Sequence, residues 1–99
     1  MAAARHIVMA ALGLAVFAGS AHALPPTTQQ QDQFYAVCVE ISGNAELCRC
    51  KADAAMQLTD QRFMGVVISS MRGAAPAQAD YTTYNSYVAQ SNRICKPNY

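Results

Sequence analysis

The chain has 99 residues, four cysteines, no tryptophan and charged side chains at 13% of positions. One domain is the expectation at that length. Of its seven basic residues Arg5 lies in an N-terminal export segment, and the others balance the six acidic ones; no long-range field recruits nucleic acid or an anionic membrane.

The export segment comes first. Arg5 precedes an apolar run over residues 7–18, and Ala21 and Ala23 place small residues just before a cleavage site. This predicts a signal peptide at 1–23 and a mature helical domain at 24–99. The apolar run is short for a bilayer, and no cysteine lies in it to carry a lipid, so no stable membrane anchor is expected. The expected compartment is the bacterial periplasm or the medium beyond it. Both histidines, His6 and His22, leave with the signal. The mature chain then lacks the usual base for a serine or cysteine nucleophile. It carries no glycine-rich phosphate loop and no basic stripe. Asp53 and Asp60 read as solvated charge and helix cap, not as a catalytic pair. A non-enzyme without a cofactor is expected.

In the mature chain, Pro25 and Pro26 predict an extended leader over 24–28 with a mobile end. Thr28 is the expected N-cap of a helix over 29–42, in which Phe34, Val37, Cys38 and Ile41 recur at helical spacing. Gly43 suits the left-handed position that stops it. Asn44 then caps a second helix, Ala45–Leu58, with Glu46 near the positive end of its dipole. Leu47, Cys50, Ala54 and Leu58 share one face of it; Cys48, Ala52 and Ala55 share the adjacent one. The two helices form an antiparallel hairpin.

A third helix, Gln61–Met71, is capped by Thr59 or Asp60 and is apolar nearly all round. Its Val66-Val67-Ile68 run could be read as a strand. No second run offers itself for pairing, and a lone strand leaves its backbone groups unpaired, so helix is preferred. After a loop over 73–79, a fourth helix starts between Pro76 and Asp80 and runs to about Ile94; Pro97 forbids much continuation. The expected fold class is all-α, a small bundle of about four short helices stapled by two disulfides.

Such staples fit the size, since domains below about 70–80 residues need them. Cys48-Arg49-Cys50 organises the pairing. On a helix these two cysteines point about 200° apart, too far apart to bond to each other. Cys38 therefore joins one and Cys95 the other. The turn between residues 43 and 44 places residue 49 opposite Cys38, so turn geometry does not choose. The Leu47/Ala54/Leu58 stripe favours Cys38–Cys50 with Cys48–Cys95; Cys38–Cys48 with Cys50–Cys95 stays open. Free thiols at Cys48 and Cys50 would instead open thiol exchange or Cu(I) binding. Zinc of the structural kind wants wider cysteine spacing or histidine, and no metal site is expected.

Two further patterns are candidate surfaces. Tyr81, Tyr84 and Tyr87 are spaced by three on the fourth helix and would form a platform for a partner, or lie over the core edge. Met56, Phe63, Met64, Val67 and Met71 would line a cavity for an apolar ligand, or simply pack the core.

The layout of signal peptide, Phe34-Tyr35-Ala36-Val37-Cys38, Cys48-Arg49-Cys50 and a late Cys95 resembles small exported proteins of Gram-negative bacteria that carry no assigned activity. That resemblance implies export and a stapled helical fold, and no function. Cys38 and Cys48 also have the Cys-x9-Cys spacing of mitochondrial helical-hairpin proteins, without their second pair. Plant lipid-transfer proteins share the CxC but have eight cysteines, and acid-activated periplasmic chaperones carry a single disulfide. The expected function is an exported interaction or accessory protein that binds another periplasmic protein. The alternatives are a binder of small apolar ligands and a thiol-redox or Cu(I)-handling protein.

Overall fold

The computed structural model of the protein describes residues 23–96. The expected signal peptide at 1–23 lies outside them except for Ala23, as do residues 97–99, Pro97 among them. The described chain is all-α, with α1 at Thr28–Ser42, α2 at Ala45–Leu58, α3 at Gln61–Met71 and α4 at Tyr81–Ile94. A single 3-10 turn, Gln78–Asp80, leads into α4.

Local chemistry sets the boundaries. Gly43 sits at φ 68°, the left-handed conformation open to glycine, and ends α1. The Leu47 N–H donates to Asn44 Oδ1 at 3.0 Å, capping α2. The Phe63 N–H donates to Asp60 Oδ1 at 2.7 Å, so Asp60 caps α3. At the start of α1 the cap is Thr27, one residue earlier than expected. The Gln30 N–H donates to Thr27 Oγ1, and the Thr27 N–H donates back to Gln30 Oε1, both at 3.0 Å. Gln30 Nε2 also donates to the Gln61 carbonyl at 2.9 Å. That contact with α3 selects Thr27 over Thr28 and closes a capping box.

The leader is likewise docked. Pro26 is buried, and the Gln61 N–H donates to the Leu24 carbonyl at 2.7 Å. The first N–H groups of a helix have no intrahelical partner, and the extended leader supplies one. The expected loose end is thus tied down from residue 24 onward.

The helices surround a core in which Phe34 of α1, Ala52 and Ala55 of α2, Met64 and Val67 of α3, and Tyr87 of α4 meet. α1 packs on α2 and α3, and α2 also packs on α4. The Val66-Val67-Ile68 run is helical, with Val67 and Ile68 buried.

The disulfides are Cys38–Cys48 and Cys50–Cys95, with Cα–Cα distances of 5.6 and 5.8 Å. The favoured pairing of Cys38 with Cys50 and Cys48 with Cys95 is thereby corrected. The face of α2 that meets α1 carries Cys48, Ala52 and Ala55, all buried. The small alanines admit Phe34, and that packing turns the Leu47/Cys50 side of the helix away. Cys50 then reaches the end of α4. α2 is stapled to one neighbour on each side, as the 200° separation requires.

Candidate functional site

Two concavities differ in chemistry. The first, about 390 Å³, is polar and lies between α1 and α2. Four of its side chains engage one another in pairs. Gln31 Nε2 donates to Asp53 Oδ1 at 2.7 Å, and the Arg49 guanidinium lies 5.6 Å from the centre of the Tyr35 ring.

The second is an open, mainly apolar cleft of about 280 Å³, bordered by all four helices. Val67 and Met71 of α3 and Tyr84, Tyr87 and Val88 of α4 supply much of its wall. Phe34 and Ile41 of α1 and Leu47 of α2 complete the apolar lining. The volume lies just below the ligand-pocket range, which begins at about 300 Å³.

Two polar groups in this lining stand out. Lys51 of α2 is partly buried, and its ammonium donates to the Asn92 side-chain carbonyl across to α4. Burial lowers its pKa from the usual lysine range, because the apolar surroundings disfavour the charge. Ser91 is 1% exposed, and its hydroxyl has no hydrogen-bond partner. Such an orphaned hydroxyl costs about 1–3 kcal/mol. Burial pushes the neighbouring Tyr87 phenol up to about 12; the nearby Ser91 hydroxyl works against that rise without reaching bonding geometry.

The tyrosines expected as one platform take three different positions. Tyr81 is exposed, Tyr84 is half-buried and Tyr87 is a core residue at 7% exposure. Ser70 Oγ donates to the Tyr84 hydroxyl at 3.0 Å, fixing that ring at the cleft. The expected apolar lining also divides. Val67 and Met71 face the cleft, whereas Phe63 and Met64 are core and Met56 packs against it. Helical periodicity assigns side chains to faces, but cannot say which face borders a gap.

Lys51 and Ser91 stand with Ser42 and two tyrosines as the polar residues of the cleft lining, and neither was a candidate from the sequence. Ser91 was legible as a lone hydroxyl on the Tyr84/Tyr87/Val88 stripe. Lys51 was legible one turn after Leu47. Nothing local brings them together; the packing of α4 on α2 does.

All four cysteines are paired, which is consistent with an oxidising compartment. Among the described residues no helix is long and apolar enough to cross a membrane. Comparison with known protein families, curated proteins and solved structures returns no match for this chain.

Proposed function

We propose that the chain is an exported, non-enzymatic binding protein of the bacterial periplasm whose working surface is the apolar cleft among the four helices. The observation that supports this is the cleft itself. It is an open, mainly apolar concavity in a small stapled fold, bordered by all four helices, whereas the groove between α1 and α2 is lined by polar and charged side chains. Small apolar molecules are the natural occupants, entering against Val67, Met71 and Val88. Titrating the oxidised protein with octanol, followed by methyl NMR, tests this. Saturable shifts at those three residues, with none at Met56, are expected. Shifts that fail to saturate, or that spread evenly over the surface, would overturn it.

A second reading, docking of another periplasmic protein, is favoured by Ile41 and Ile94. These are 63% and 54% exposed at neighbouring grooves that share Leu47. A photo-crosslinker at position 41 should then trap one discrete periplasmic protein, and an Ile94→Lys change should abolish the adduct. No adduct, or a smear of many, counts against this reading.

A further inference from the structure

We propose that the cleft takes an amphipathic monocarboxylate, its apolar tail along Val67, Met71 and Val88 and its carboxylate held by Lys51 and Ser91. This rests on the apolar-cleft reading above and names its ligand class.

The cleft has a single formal charge in its lining, Lys51, and no carboxylate. Among the described residues the ion pair is Arg62 with Asp80, away from the cleft. Lys51 is therefore a cation in a partly apolar setting whose bonded partner, Asn92, is neutral. An ammonium has three donors, so two remain for a ligand.

Lys51 and Ser91 both line the cleft, and the ammonium bonds the residue after Ser91, so the unpartnered hydroxyl and the ammonium lie at the same level along α4. A carboxylate offers acceptors to both at once, and bonds to an ionised acceptor are the stronger kind. The opposite end is the weaker site for the head group, because Tyr84, which accepts from Ser70, has only a neutral O–H to donate and no cation stands there in the lining. From Ser91 back to Tyr84 the helix covers two turns, about 10 Å, along which the lining is apolar. One cation matches one negative charge. A dianionic head such as a phosphate monoester would leave charge uncompensated beside apolar side chains, which is costly.

The test compares octanoate, octanol and acetate on the oxidised protein by calorimetry, with the fold checked by circular dichroism. Octanoate is expected to bind about tenfold tighter than octanol, the effect of one charge-assisted contact in a partly exposed site. Acetate, lacking the tail, should not bind measurably. Lys51→Gln keeps a donor for Asn92, so it should retain the fold and octanol binding while reducing the octanoate preference to within about twofold. Ser91→Ala should reduce the preference by a smaller factor, about threefold. Equal affinity for octanoate and octanol would overturn this inference and leave the apolar cleft standing. An octanoate preference that survives Lys51→Gln would also overturn it, placing the head group elsewhere. Binding of neither ligand would overturn both.

Discussion

α2 is joined on both sides by a disulfide, yet the two joints differ in kind. Toward α1 the joint is local. Gly43 and Asn44 reverse the chain, and Cys38–Cys48 closes a separation of 10 residues. Toward α4 the joint is distant. Cys50–Cys95 closes a separation of 45 residues, and α3 and the 3-10 turn intervene. The hairpin would be brought together by its turn even without the bond, whereas α4 has to be recovered from far along the chain. Because α4 supplies Tyr84, Tyr87, Val88 and Ser91 to the cleft, the candidate site depends mainly on the distant joint.

The largest expected effect comes from removing that joint. Cys50→Ala with Cys95→Ala should lower stability by about 4 kcal/mol through the entropy of a longer loop, against about 3 kcal/mol for Cys38→Ala with Cys48→Ala. Both are large for a domain of this size. Denaturant unfolding of the two double variants checks the order. Hydrogen exchange should show α4 opening first in the former. The comparison breaks if the hairpin bond proves the more stabilising.

Alkaline titration sharpens the same contrast. Burial raises the Tyr87 phenol from the usual 10.0 to about 12. The folded state therefore holds this proton where the unfolded state has lost it. The contribution is intact below about pH 10 and falls away between about pH 10 and 12, up to about 2–3 kcal/mol. One of the five tyrosines should ionise late by ultraviolet absorbance, and the onset of unfolding should follow it. Tyr87→Phe should remove that step from the profile. A profile unchanged in Tyr87→Phe would show that Tyr87 does not link pH to folding.

The smallest effect belongs to the local joint. Asn44→Ala removes the bond to the Leu47 N–H and should cost about 1 kcal/mol. The loss should appear as fraying of the first turn of α2 by hydrogen exchange, with α4 unaffected. Fraying of α4 instead would mean that the two joints are not separable.

Tertiary contacts also account for one small correction in α1. Thr27 and Thr28 are equivalent as hydroxyl caps, and each has a glutamine three residues on. The choice falls on Thr27 because Gln30 simultaneously bonds the Gln61 carbonyl of α3. Similarly, Asp80 stands before α4 where a cap belongs but makes no side-chain cap bond. Its carboxylate is held by Arg62 at 2.8 Å, which fastens the loop between α3 and α4.

By itself the sequence determined what short-range physics controls. The extents of α2 and α3, the stop at Gly43, the cap at Asn44, the narrowing of the α3 cap to Thr59 or Asp60, and the all-α class follow from propensity, periodicity and capping, which act within a few residues. The need for each of Cys48 and Cys50 to bond a different neighbour also follows, because it depends only on their angle around one helix. Tertiary structure alone decided which neighbour each one meets, that Tyr87 is core while Tyr81 is not, and that Lys51 and Ser91 share a cleft. These outcomes depend on how the alanine face of α2 admits Phe34 and where α4 then comes to rest. Close packing of side chains distant in sequence sets both, and no local pattern encodes it.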